Sequence, residues 1–206
     1  MKIFLTGGTG FNGRYVVDNL RKQDNELLVL TRNKSYNPSY KNIRPIYGDL
    51  SDLSELEKTL EDFSPDVSIH LAWDGIPYDY GPEMSEKNLQ RSKNLMDLLI
   101  KIGCPKIIGT GTCWEYGREK GELNENMKPS PNKPIAIAKN EIYETMMEKS
   151  RSQGFEFIWT RLFYVYGCGR KETTLIHSIS NSLSEGNIPK IKTPNNSFDL
   201  GNISLR

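Results

Sequence analysis

A run of eight residues near the start of the chain carries the clearest chemical signal: Thr6-Gly7-Gly8-Thr9-Gly10-Phe11-Asn12-Gly13. It satisfies GxxGxxG through Gly7, Gly10 and Gly13, and GxGxxG through Gly8, Gly10 and Gly13. Glycines at this spacing permit a tight turn, let a pyrophosphate approach the backbone, and let a helix pack closely on a strand. A helix that starts here offers unpaired amides and the positive end of its dipole to an anion. The plainer account is a glycine-rich turn with no ligand. Position argues against it, because the run directly follows a short apolar stretch and precedes a helical one. The turn reads as a dinucleotide phosphate site.

Which dinucleotide depends on the end of the second strand. An acid there would bind the adenosine ribose of NAD, whereas an Arg nearby can hold the 2′-phosphate of NADP. The chain has Leu30-Thr31-Arg32-Asn33. Arg32 therefore tips the expectation towards NADP(H), with a solvated surface cation as the alternative. Other reactive side chains read as structural. Cys104, Cys113 and Cys168 are odd in number and widely spaced, with no CxxC, so they suggest neither a disulfide framework nor a zinc site, and no metal is expected. His70 ends an apolar run and reads as a packed residue rather than a general base.

The elements that must position these residues alternate. Apolar β-type runs fall at 2–6, 26–31, 43–47, 67–72, 106–110 and 155–160. Helical patterns fall at 12–22, around Leu53, Leu56 and Leu60, at 83–102 before Gly103, and at 135–150. Tyr15, Val16 and Leu20 are expected to face inward on the first helix, and Asn88, Ser92, Leu95, Leu99 and Ile102 on the long one. Repeated β–α–β with runs of Val, Ile and Leu predicts an α/β fold. It is a Rossmann-type doubly wound parallel sheet with helices on both faces. The last stretch is rich in Ser and Asn and supports a helix near 175–183 and a strand at 188–192, but no core of its own. The expected division is an NAD(P)-binding domain at 1–172 and a short, incomplete substrate lobe at 173–206.

Composition removes several function classes. The 206 residues carry a net charge of +1, so no bulk field holds nucleic acid or an anionic membrane. No apolar stretch is long enough for a membrane span, and Ile3-Phe4-Leu5 is too short for a signal peptide. A cytoplasmic location is expected.

Further stretches line up with one family. The chain resembles the extended short-chain dehydrogenase/reductases, the NAD-dependent epimerase/dehydratase group that modifies nucleotide sugars, over nearly its whole length. The resemblance rests on the glycine turn, Gly48-Asp49-Leu50, His70-Leu71-Ala72, and Asn88 with Asn94. It continues through Thr110 to Gly117, Pro131-Asn132-Lys133-Pro134 with Lys139, and Arg161 to Gly167. Within the group, Cys113-Trp114-Glu115-Tyr116-Gly117 looks closest to reductases and epimerases of deoxysugar nucleotides. The resemblance implies cofactor contacts from Gly7, Gly10, Phe11, Asn12, Gly13, Arg32, Asp49, Leu50, Leu71, Ala72, Thr110 and Lys139. It implies catalytic roles for Thr112 and Lys139, substrate contacts from Thr112 and Tyr164, a nucleotide sugar as substrate, and a homodimer built like a four-helix bundle from the 83–102 and 135–150 helices.

The chain departs from that pattern in three places. The family's Tyr, four residues before Lys139, is replaced by Ile135, which has no proton to move. Ile135, Ala138, Ile142 and Met146 make an ordinary core stripe. Glu115, Tyr116 and Tyr164 are the candidate substitutes. Cys113 and Trp114 stand where the family's dehydratases carry an acidic pair, so dehydration is not expected. Family members also continue past this chain's end, and Ser197-Phe198-Asp199-Leu200 looks like the start of their next segment. Two readings remain open. One is an NAD(P)-dependent nucleotide-sugar epimerase or keto-reductase, in surface-polysaccharide or deoxysugar precursor synthesis, with impaired activity. The other is a catalytically dead NAD(P)-binding or scaffold protein, or a truncated remnant.

Overall fold

The computed structural model describes residues 1–76, 78–117, 121–169, 174–191 and 200–203. Two compact units divide it, Met1–Leu162 and Phe163–Arg206, a boundary earlier than the one expected at 172/173. The first unit runs β1 (Lys2–Thr6), α1 (Phe11–Leu20), β2 (Glu26–Thr31), β3 (Ile43–Tyr47), α2 (Ser54–Phe63), β4 (Val67–His70), α3 (Pro82–Lys101), β5 (Lys106–Thr112), a 3₁₀ turn (Cys113–Tyr116), α4 (Pro134–Gln153) and β6 (Glu156–Leu162).

Six parallel strands lie in the order β3-β2-β1-β4-β5-β6. That order reverses at β1, and open α/β sheets bind ligands outside the carboxyl ends of the strands at such a switch point. Helices cover both faces, so the central strands are apolar throughout instead of alternating. Ile3, Leu5, Leu27 and Val29 pack under α1 with Val17, while Phe4, Leu28 and Ile107 face α2, α3 and α4.

The chain-level expectations hold in outline and shift in detail. Strand β4 stops at His70 instead of Ala72. Its neighbour β1 ends at Thr6, so Leu71 N donates to Thr6 O at 3.2 Å and Ala72 N turns to Thr6 Oγ1. Strand β5 runs on to Thr112 because β6 continues beside it, pairing Gly111 with Arg161 and Thr112 with Leu162. On α1 the buried positions are Gly13 and Val17, with Val16 and Leu20 at the margin and Tyr15 half-buried. Gly13 must press against the turn, and the residue one helical turn later follows it inward. Asn88, Ser92, Leu95 and Leu99 are buried on α3 as expected.

The second unit holds β7 (Tyr164–Tyr166), α5 (Leu175–Ser184) and β8 (Leu200–Asn202), with β7 and β8 parallel. The strand expected at 188–192 does not form over 188–191, since Pro189 removes a ladder donor. Residue 192 and residues 197–199 lie outside the described residues. Leu60 is fully buried between α2 and the sheet. Leu60→Ala is expected to cost about 2–5 kcal/mol, read as a lower urea midpoint with an unchanged slope.

Candidate functional site

The site begins where β1 ends. Gly7 adopts φ +70, and a Cβ there would lie 2.6 Å from Ala72 N on the neighbouring strand's continuation. Gly10 N donates to Gly7 O at 3.0 Å, closing the turn into α1, and Arg14 N donates to Gly10 O at 3.0 Å. A Cβ on Gly13 would collide with the Gly7 carbonyl oxygen and with Gly8, so the helix can sit this close only with glycine there. Asn12, in the first turn of α1, carries a buried Oδ1 with no partner among the described residues.

Above this turn lies a cleft of about 230 Å³. Seven residues expected to contact a cofactor, Gly7, Gly10, Arg32, Asp49, Leu50, Leu71 and Ala72, line it together with Thr9, Thr31, Gly48, Trp73, Asp74, Asn88 and Arg91. The glycine cradle, the α1 amides and an apolar wall at Leu50 suit a dinucleotide's pyrophosphate and adenine. Phe11, Asn12 and Gly13 form the helix start behind the turn rather than the lining.

Sequence reasoning missed the charged wall. Arg32 grips Asp74 through both nitrogens, at 2.9 and 3.1 Å, and Arg91 reaches the same carboxylate at 2.7 Å. Asp49 stands 3.6 Å from Arg32 and 3.8 Å from Arg91. Its carboxyl is held below the usual carboxylate range, first by hydrogen bonds from Ser51. Asn88 fixes the Asp74 main chain, accepting from Asp74 N at 2.8 Å and donating to Asp74 O at 3.1 Å. Asn88 and Arg91 are three residues apart on α3 and so share a face. That spacing was the available signal.

Lys139 and Thr110 form a second group. Lys139 is 7% exposed, donates from Nζ to Thr110 O at 2.5 Å and lies 4.3 Å from the centre of the Trp73 ring. Burial pushes the ammonium down to about 8, partly opposed by the charge of Glu115. Trp73 thus lines the cleft on one side and carries the Lys139 cation on another. His70 sits between Thr6 Oγ1 at 2.7 Å and Ser92 Oγ at 2.9 Å. Burial, then the charge of Lys139, pushes it down to about 3, so it stays neutral and serves as a packing hub.

Thr112 closes β5 and caps the 3₁₀ turn, its hydroxyl accepting from Trp114 N at 3.4 Å. Glu115 completes this capping box by accepting from Thr112 N at 2.8 Å. Its other oxygen accepts from Trp159 Nε1 at 3.0 Å and Arg161 Nε at 2.7 Å. Glu115 is therefore a buried structural carboxylate and not a spare acid. Tyr116 is buried too, 5.1 Å from the Arg161 guanidinium by its ring centre. Ile135 is 3% exposed and leads the stripe of Ala138, Ile142 and Met146 into the core. The Cys113 thiol is pushed up by burial, which leaves it protonated and poorly nucleophilic. Tyr164 lies in the second unit, on β7.

A parallel sheet ordered 3-2-1-4-5-6, with a glycine cradle and cleft at its switch point, defines a Rossmann-type α/β protein. Residues 3–203 match the Epimerase model of the NAD dependent epimerase/dehydratase family, and the chain belongs to that family. It is 25% identical to dTDP-6-deoxy-L-talose 4-dehydrogenase (NAD(+)) of Aggregatibacter actinomycetemcomitans, over 90% of this chain and 69% of that protein. It is 25% identical to a UDP-glucose 4-epimerase of Lactobacillus helveticus, over 90% of this chain and 61% of the epimerase. The chain thus spans less than two thirds of that epimerase. The structure of UDP-N-acetylglucosamine 4-epimerase from Methanobrevibacter ruminantium M1, in complex with UDP-N-acetylmuramic acid, superposes with a TM-score of 0.85. That likeness is at 25% identity, over 98% of this chain and 69% of the other. No described helix is long and apolar enough to cross a membrane.

Lys139 gives a test of the site's electrostatics. Its folded value near 8 lies below its ordinary 10.5, so the unfolded chain binds more protons between them. Stability is therefore expected to rise with pH from about 8 to 10.5, where the cost of a buried cation is relieved. Urea titrations across this window should show that rise shrink in Lys139→Met.

Proposed function

We propose that the chain binds NAD or NADP in the cleft at the end of β1 and acts on a nucleotide sugar, as the epimerases and 4-dehydrogenases it resembles are named for doing. The observation that carries this reading is the glycine turn, where a Cβ on Gly7 or Gly13 would collide with backbone. When bound, the nicotinamide supplies a hydride acceptor or donor. The chain's own residues do the rest. Amides at the start of α1 meet the pyrophosphate, Asp49 and Leu50 flank the adenosine end, and the Lys139 ammonium holds the ribose next to the nicotinamide. Thr112 offers its hydroxyl to a sugar oxygen.

The proton step is the weak one. Ile135 occupies the position where a phenol would move the proton, and Glu115 and Tyr116 are buried in the Arg161 network. The buried Ile135 favours a second form of the reading, in which the chain holds cofactor while turning over slowly or not at all. The substrate class is a sugar nucleotide of surface-polysaccharide or deoxysugar precursor synthesis, and the setting is the cytoplasm. A homodimer through α3 and α4 belongs to the same reading; α3 and α4 already pair through Lys93–Glu141 at 2.6 Å, and Ile137 on α4 stands half exposed.

Titration of the protein with NADH and NADPH, followed by nicotinamide fluorescence, should show saturable binding that Gly13→Ala abolishes in a chain that remains folded by circular dichroism. Lack of binding by either nucleotide up to millimolar concentration would remove the proposal. Restoring the phenol is the catalytic test. Ile135→Tyr should raise NAD(P)-dependent turnover of UDP- or dTDP-sugars by about 10²–10⁴-fold, the usual size of a general acid/base contribution. Unchanged turnover with binding intact would place the deficit outside position 135.

A further inference from the structure

We propose that Asp74, shared between Arg32 and Arg91, sets the cofactor choice and makes the site prefer a free 2′-hydroxyl over a 2′-phosphate. This rests on the dinucleotide reading of the cleft. Arg32 follows β2, Asp74 follows β4, and those two strands flank β1. The Arg32–Asp74 pair therefore spans the end of β1 and lines the same cleft as Gly7 and Gly10.

A guanidinium fork matches a phosphate or a carboxylate equally well in shape. On Arg32 that fork is already filled, both nitrogens resting on the two oxygens of Asp74. The second guanidinium is engaged as well, because Arg91 holds Asp74 Oδ2 at 2.7 Å and stands 3.8 Å from Asp49. Two cations and two anions leave the cluster neutral. A 2′-phosphate brings close to two negative charges at neutral pH. To reach Arg32 it must displace Asp74 or sit beside two carboxylates that repel it.

The main chain that carries Asp74 is fixed in place. Asn88 clamps its main-chain N–H and C=O from α3, and Asn88 is itself anchored by donating to Met84 O at 2.8 Å. A ribose diol faces no such conflict. It carries no charge, and either carboxylate can accept its hydroxyl protons without giving up an arginine. Arg32 by itself points to NADP; Arg32 held by Asp74 points the other way.

The test uses the full chain and reduced nucleotides, with binding read as quenching of tryptophan fluorescence, since Trp73 lines the cleft. The unaltered protein should bind NADH at least about tenfold more tightly than NADPH, the scale of a like-charge conflict across a contact. Asp74→Asn should shift the ratio of the two affinities towards NADPH by about tenfold or more. In that background Arg32→Ala should then erase the gain for NADPH, lowering its affinity by a larger factor than that for NADH. Tighter NADPH binding by the unaltered protein overturns the proposal without any variant. An Asp74→Asn effect equal on both nucleotides overturns it too, and leaves the dinucleotide site standing. Absence of binding by either nucleotide removes both the proposal and the reading beneath it.

Discussion

The end of β1 is the constraint from which the rest of the site follows. This strand lies between β2 and β4, and when it stops at Thr6 both neighbours lose a hydrogen-bonding partner at the same level. The chain beyond β4 turns away, with Ala72 N resting on Thr6 Oγ1, and the chain beyond β2 delivers Arg32. Into the opening the turn places α1, and it can approach only because Gly13 meets the Gly7 carbonyl without a side chain between them. A cleft at this point is a consequence of sheet order, and the glycines decide that backbone rather than side chains forms its floor.

The polar groups around that opening divide by how they are neutralised. His70 is buried among hydroxyls and gives up its charge. Glu115 is equally buried and keeps an arginine, with an indole N–H and a backbone amide as further donors. That arrangement ties the end of β5 to β6 and fixes Thr112 as a cap. Removing one partner of such a pair is far costlier than the pair's net contribution, since it strands a charge in a low dielectric. Lys139 is the intermediate case. Among the described residues it has an aromatic face and one carbonyl but no directly contacting carboxylate, and burial lowers its affinity for a proton.

The long helix α3 contributes more than a wall. Asn88 holds the main chain of Asp74, Arg91 holds its carboxylate, and Ser92 reaches His70. One helix face thus governs the end of β4, where the charged cluster at Asp74 and the neutral His70 lie four residues apart.

The glycine turn, the βαβ rhythm and the core stripes of α3 and α4 were legible in the residues alone, because each depends on local spacing or on a period that one element sets for itself. Thr112, Lys139 and the exchange at Ile135 were picked out by family resemblance instead, and their proposed roles come from that resemblance. The helix phase of α1 was not legible, since the demand that Gly13 face inward comes from the turn it packs on. Nor were the roles of Glu115 and Arg32. Glu115 looks like a spare acid until β6 brings Arg161 and Trp159 against it, and Arg32 looks like a free cation until β4 and α3 bring Asp74 and Arg91. Those partners are 42 to 46 residues from their mates along the chain, apart from Arg91, which meets Asp74 at 17. Sequence determined which chemical groups exist and which element each rides on. Only the tertiary structure decided their charge state and availability, because both are set by the neighbours that folding delivers across the sheet.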